Sequence, residues 1–182
     1  YWRDWSSDVC SSDLSPEKLL VLFEYAESRA GTVPQELFKD FSGALQTDLY
    51  AGYNTVLLPE KAVRIACLAH VRRKFIEAGT SKETTTVLTF ISELYGYEKK
   101  WKALSPPERK AQREKHSKPV LEKLEKYLRE LSERTLPRAP LMEAIKYALK
   151  QWDSMMRVLD DGRYHLDNNL IEREMRPIAI GR

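Results

Sequence analysis

A helical repeat of apolar residues occupies the middle of the chain and limits the folds open to it. From about residue 82 to about residue 160, apolar side chains recur three and four positions apart. The repeat is clearest in two runs: Val87, Leu88, Ile91, Leu94 and Tyr95, and Val120, Leu121, Leu124, Tyr127, Leu128 and Leu131. Such spacing places apolar residues along one face of an α-helix. Prolines at 106–107 and at 137 and 140 interrupt the repeat. We therefore predict three or four helices over residues 82–160, with Trp101 and Trp152 in their core.

The residues before this block form short apolar runs that are typical of β-strands. The candidate strands are Leu19–Tyr25, Ala44–Leu49 and Ala62–Leu68. Between the first two, Thr32 is the expected cap and Pro34 a first-turn residue of a short helix that Gly43 would end. A strand, a helix and two more strands predict an α/β part over residues 15–81.

The last part of the chain has the signals of a turn followed by a helix. Asp160-Asp161-Gly162 predicts a turn, and the cluster Asp167-Asn168-Asn169 has the side chains that cap helix N-termini. The helix that follows would carry Glu172, and Pro177 would end or kink it. Residues 161–182 are therefore predicted to be a separate C-terminal helical segment.

Charge and composition exclude some classes of protein. The chain has 182 residues, 42% of them hydrophobic, and a formal net charge of +3, which suits a globular domain and permits nucleic-acid binding without requiring it. No run approaches the roughly 20 apolar residues of a membrane span, and no signal peptide is recognisable. We expect a cytoplasmic protein with no membrane partner. Cys10 and Cys67 lack zinc-binding spacing. The Lys/Glu-rich face between residues 108 and 133 is either solvated or a DNA or partner contact.

The N-terminal residues 1–14 show neither helical nor strand periodicity. Trp5 to Leu14 read WSSDVCSSDL, which resembles the translation of a sequencing adapter. We interpret residues 1–14 as a non-native tail, so that the genuine coding sequence begins near Ser15, already inside a domain. The alternative is a genuine but disordered tail.

Three motifs stand in order along the chain. They are LQTDLYAGYN at residues 45–54, CLAHVRRKF at residues 67–75 and LDNNLIEREMRP at residues 166–177. Together they resemble the catalytic domain of the insertion sequence 66 family of bacterial transposases, from about Leu20 to Arg182. The resemblance implies a DDE-type transposase. It also implies a partial ribonuclease-H-like α/β fold that lacks its first strands, with residues 82–160 as a large all-helical insertion and a C-terminal core helix carrying the Glu.

The resemblance also implies a catalytic site. Matched motif to motif, Asp48 is the second Asp of the triad and Glu172 the Glu, and both would bind Mg²⁺, with two ions expected in the complete enzyme. Carboxylate oxygens are the hard ligands that this ion prefers. No residue before Leu20 can stand for the first Asp. We therefore expect a fragment that is inactive as written, from a protein that acts on transposon ends and target DNA as a homo-oligomer.

Five basic residues lie close to these motifs: His70, Arg72, Arg73, Arg173 and Arg176. The first three could contact DNA phosphates, support the carboxylates or form surface pairs. Those beside Glu172 could pair with it or bind phosphate. Tyr50 and Tyr53 could stack on bases or simply pack. A non-catalytic helical DNA-binding or assembly module, in which Asp48 and Glu172 are incidental, is the alternative function.

Overall fold

The computed structural model describes residues 14–15, 18–19, 26–28, 30–47, 53, 62–170 and 172–173. The chain divides into two compact units. The split unit comprises Tyr1–Val63 and Asn168–Arg182, and the helical unit comprises Arg64–Asp167. The division by role stays a prediction: a non-native tail at residues 1–14, an α/β part at 15–81, a helical insertion at 82–160 and a C-terminal helix at 161–182.

The described part of the split unit begins with two very short strands. Strand β1 (Leu14–Ser15) pairs antiparallel with β2 (Lys18–Leu19), and helix α1 (Thr32–Leu37) and strand β3 (Gly43–Thr47) follow. A small apolar cluster joins α1 to β3, in which Phe38 and Leu45 are buried and Phe41 and Tyr53 pack against them. The cluster packs Phe38, the C-cap residue of α1, together with Leu45 of β3.

Two details of this region differ from the sequence prediction. Gly31 rather than Thr32 is the N-cap of α1, and the helix ends at Leu37 rather than near Gly43. Gly43 instead begins β3 with a φ of +122°, a backbone conformation that glycine adopts without the steric cost of a Cβ atom. Of the strand predicted at residues 19–25, residues 20–25 lie outside the described residues.

The fold is mixed α/β and mostly helical, with β3 and β4 (Ala62–Ala66) forming a small two-stranded parallel sheet. The prediction that the third strand extends to Leu68 is wrong, because β4 ends at Ala66. Cys67 is the N-cap of helix α2 (Leu68–Glu77), and the buried side chains of this helix, Leu68, Val71 and Phe75, recur at helical spacing. The basic motif at residues 67–75 is therefore helical.

The helical unit contains most of the described secondary structure. After α2 come α3 (Lys82–Lys100), α4 (Pro106–Gln112), a π-helical turn (Arg113–Ser117), α5 (Lys118–Arg134), α6 (Pro140–Lys150), α7 (Trp152–Met156) and a 3₁₀ turn (Arg157–Leu159). Pro106 and Pro140 each occupy the first position of a helix, where the missing N–H costs nothing. Residues 82–159 are helical with breaks at the prolines, as predicted, but they contain five α-helices rather than the three or four expected.

One apolar core holds the helical unit together. Helix α2 packs on α3 and α6, and α5 packs on α3 and α6. Phe75, Ile91, Leu128 and Ile145 are completely buried between them. Trp101 and Trp152 are buried as predicted. Among the described residues, no helix has the length and apolar character of a membrane span.

Candidate functional site

The two residues expected to bind metal are placed very differently by the structure. Strand β3 ends at Thr47, and Asp48 itself lies outside the described residues. Glu172 is half-buried and helical. Its backbone N–H donates to the Asn168 carbonyl oxygen at 3.1 Å, which is the bond of a first helical turn. The approach of Asp48 to Glu172 stays a prediction.

The second and third motifs meet at the start of α2. The backbone N–H of Leu68 donates to the carbonyl oxygen of Leu166 at 2.8 Å. The first N–H groups of a helix have no partner within the helix, so this bond satisfies one of them from a distant segment. The motif at residues 67–75 is thereby attached to the residues that lead into the Glu172 helix.

A tyrosine of α3 makes the neighbouring contact. The hydroxyl of Tyr95 donates to Asp167 Oδ2 at 2.7 Å, across 72 residues of sequence. Burial of the ring, then this hydrogen bond, raise the pKa of Tyr95, while the positive charge of Arg72 opposes the rise. Arg72 of the second motif and Asp167 of the third therefore both act on the same tyrosine. The sequence pattern predicts Tyr95 only as part of an apolar helix face.

The remaining site candidates are distributed over both units. His70 is half-buried on the first turn of α2, and Arg72 and Arg73 are exposed on the same helix. Arg173 is exposed on the C-terminal helix. Arg176 and Tyr50 lie outside the described residues. Tyr53 packs against the cluster of Phe38 and Leu45, which favours the packing interpretation for that ring.

A buried arginine that no sequence signal singled out holds the segment before Leu166. Arg113 lies in the π-helical turn with its side chain 1% exposed. Nε and Nη2 donate to the two carboxylate oxygens of Glu98 at 2.7 and 2.8 Å. Nη1 donates to the carbonyls of Val158 and Asp161, and Nη2 also donates to that of Tyr164 at 2.7 Å. All five N–H bonds of the guanidinium are therefore used.

A second arginine and a glycine fasten the same segment to α4. Arg109 Nη1 donates to the Gly162 carbonyl oxygen at 3.2 Å. Gly162 lies so close to α4 that a Cβ atom there would be 1.9 Å from the carbonyl oxygen of Pro106. Residues 158–167 are thus held by the π-helical turn, α4, α2 and α3.

No group of three or more His, Cys, Asp or Glu side chains with metal-binding geometry occurs within the part of the chain that the structure describes. Asp48 is outside that part, so the proposed metal site stays untested.

Comparison with known proteins places the chain in a family. The sequence model of the transposase IS66 family matches residues 3–182. The chain belongs to this family. In this IS66-family chain the first motif begins in β3, the second forms the N-cap and most of α2, and the third runs from Leu166 into the helix that carries Glu172. The interpretation of residues 1–14 as a foreign tail stays a prediction.

Curated relatives of this IS66-family chain are longer proteins from a rhizobium. The uncharacterized protein y4jD of Sinorhizobium fredii is 31% identical over 176 residues, covering 92% of this chain and 34% of that protein. The uncharacterized protein y4hP of the same organism is 32% identical over 178 residues, covering 87% of this chain and 32% of that protein. The chain spans about a third of the length of these relatives. No solved structure matches it.

Proposed function

We propose that the protein of which these residues are a part is a DDE transposase, which cleaves and joins DNA. The observation that carries the proposal is the family match over residues 3–182. Two local features support it: β3 leads directly to Asp48, and Glu172 lies in the first turns of a helix. A strand end and a helix are rigid supports from which two carboxylates can bind one site. A ribonuclease-H-like arrangement is the fold that we propose for them.

Asp48 and Glu172 are the residues that would hold divalent metal. Their carboxylates are hard oxygen ligands, which fits Mg²⁺ better than softer metals. When bound there, such ions would supply positive charge that stabilises the attacking and leaving oxygens of a phosphodiester displacement. The chain's own contribution is to fix these carboxylate oxygens. We place two carboxylates of a three-carboxylate site in this chain, so we expect the 182 residues alone to lack cleavage activity.

DNA is the proposed partner, and the exposed arginines are the groups that would contact it. Arg72 and Arg73 lie on α2, and Arg173 adjoins Glu172. Arginine binds phosphate with two parallel hydrogen bonds, and each neutralised phosphate makes binding weaker as salt is raised. Since a transposon has two ends that must be cut and joined together, we propose that the complete protein acts as a homo-oligomer.

Cleavage of a DNA duplex carrying the transposon end tests the proposal in the protein at the length of its relatives. We expect Mg²⁺-dependent cleavage that is lost in Asp48→Asn and in Glu172→Gln. Glu125→Gln is the control, because Glu125 pairs with Arg129 on the surface of α5, far in sequence from every motif. A Glu172→Gln protein that cleaves as well as the unchanged protein would show that the site is wrong. DNA binding with no metal-dependent cleavage in the unchanged protein would favour the non-catalytic module instead.

A further inference from the structure

We propose that Tyr95 is a positioning residue for the Glu172 helix, because its hydroxyl holds Asp167, the residue from which the chain enters that helix. The inference rests on the proposed function, since it assigns a task to a residue outside the carboxylate site. Tyr95 touches neither metal nor DNA in this proposal. It acts through Asp167.

The tyrosine is itself firmly held. It lies in the fourth turn of α3 beside Leu94, which is completely buried, and its ring is packed against the core of the helical unit. The helix begins with a reciprocal cap, in which the Ser81 and Thr84 side chains accept from each other's backbone N–H groups. A ring fixed on a capped, packed helix has little freedom. Its hydroxyl is therefore a rigid anchoring point.

The anchored segment is attached at two successive residues. Leu166 accepts from the Leu68 N–H of α2, and Asp167 accepts from the Tyr95 hydroxyl of α3. One hydrogen bond would fix a position and leave the chain free to pivot. Two bonds on adjacent residues to two different helices also restrict rotation of the backbone at residues 166–167. The bond to Asp167 is the charge-assisted one of the pair, and bonds of this type are about twice as strong as neutral ones.

Glu172 follows closely on this anchor. Asn168, the residue after Asp167, accepts the first-turn hydrogen bond from the Glu172 N–H. At about 1.5 Å per residue, the rise from Asn168 to Glu172 is only about 6 Å. Loosening Asp167 therefore frees the first turn of the helix, where Glu172 lies.

A second tyrosine on the same helix provides a matched comparison. The hydroxyl of Tyr97 donates to Glu93 Oε1, also at 2.7 Å, but its partner is exposed and one turn away on α3 itself. Removal of either hydroxyl deletes a tyrosine–carboxylate bond of equal length from the same helix. Only the bond of Tyr95 reaches one of the three motifs.

The experiment compares Tyr95→Phe with Tyr97→Phe in the protein at the length of its relatives. We expect Tyr95→Phe to raise the Mg²⁺ concentration for half-maximal cleavage, or to lower kcat at saturating Mg²⁺, by about 10–100-fold, as loss of an outer-shell partner does. Tyr97→Phe should change neither. Because Tyr95 acts through Asp167, adding Tyr95→Phe to Asp167→Ala should cause little further loss. A merely structural tyrosine would lower the folded fraction without changing the Mg²⁺ requirement.

Amide hydrogen exchange gives a readout that needs no catalysis. Exchange at residues 168–173 should be faster in Tyr95→Phe than in Tyr97→Phe, while exchange in α5 stays the same in both. Equal exchange at residues 168–173 would overturn the inference even if the protein is a transposase. If Glu172→Gln abolishes cleavage and Tyr95→Phe does not differ from Tyr97→Phe, the inference fails and the proposed function stands. Absence of Mg²⁺-dependent cleavage in the unchanged protein would overturn the proposed function and this inference together.

Discussion

Replacement of Arg113 by methionine tests how the buried guanidinium holds the helical unit together. Methionine keeps most of the aliphatic side chain but removes all five N–H donors. Glu98, whose side chain is 20% exposed, would lose its cation, and the carbonyls of Val158, Asp161 and Tyr164 would lose a partner. The Arg113→Met variant therefore leaves a nearly buried carboxylate and three carbonyl groups to find new partners.

The magnitude follows from these losses. Removing one partner of a buried ion pair costs about 3–5 kcal/mol, and an orphaned buried acceptor costs about 1–3 kcal/mol. The carbonyls of Asp161 and Tyr164 lie outside helices, where the backbone can turn towards water, so the costs of the three carbonyls do not add in full. We expect Arg113→Met to lower the free energy of unfolding by about 3–5 kcal/mol. For a chain of this size that lowers Tm by at least about 6 °C.

Thermal and urea unfolding followed by circular dichroism would measure this loss. Arg129→Met is the matched control, since Arg129 is 64% exposed and pairs with Glu125 on the same helix, and such pairs contribute less than about 1 kcal/mol. Glu98→Gln combined with Arg113→Met should cost less than the sum of the single changes. If Arg113→Met lowers the free energy of unfolding no more than Arg129→Met does, the Arg113 guanidinium does not organise residues 158–164.

Two further predictions concern Gly162 and Tyr95. Gly162→Ala would place a Cβ atom 1.9 Å from the Pro106 carbonyl oxygen, so we expect a loss of at least about 2 kcal/mol in unfolding free energy. Gly96→Ala on α3, where a Cβ meets no atom within 4 Å, should be neutral or stabilising by up to about 1 kcal/mol. If Gly162→Ala and Gly96→Ala change the free energy of unfolding equally, the close approach of Gly162 to Pro106 is contradicted. The pKa of Tyr95 is raised in the folded protein, so above about pH 10 the unfolded chain loses a proton that the folded chain keeps. The contribution of Tyr95 to the free energy of unfolding is therefore complete below about pH 10 and falls as pH rises. Between about pH 9 and about pH 11 the unchanged protein should lose about 1.4 kcal/mol more stability than Tyr95→Phe, and equal losses would show that Tyr95 is not protected from ionisation.

The sequence predicted best those elements that depend on residues close to one another along the chain. The spacing of Val87, Ile91 and Leu94 predicted α3, and all three side chains are completely buried. Pro106 and Pro140 marked helix starts. The prediction for residues 67–68 was wrong because AVRIACL is apolar and β-branched, and both a strand and a buried helix start can use such a run. Packing of α2 against α3 and α6 decided between them.

The sequence alone determined the helical character of residues 82–160, the breaks at the prolines, and the family through three ordered motifs. These properties depend on residues within a few positions of one another, and local spacing is visible in a sequence. Only the tertiary structure decided which polar groups meet. Arg113 lies in a Lys/Glu-rich stretch that we expected to be largely solvent-facing, but its partners Val158 and Tyr164 lie 45 and 51 residues away. Tyr95 likewise reaches Asp167 across 72 residues. A buried donor requires a partner, but nothing local in the sequence specifies where that partner lies.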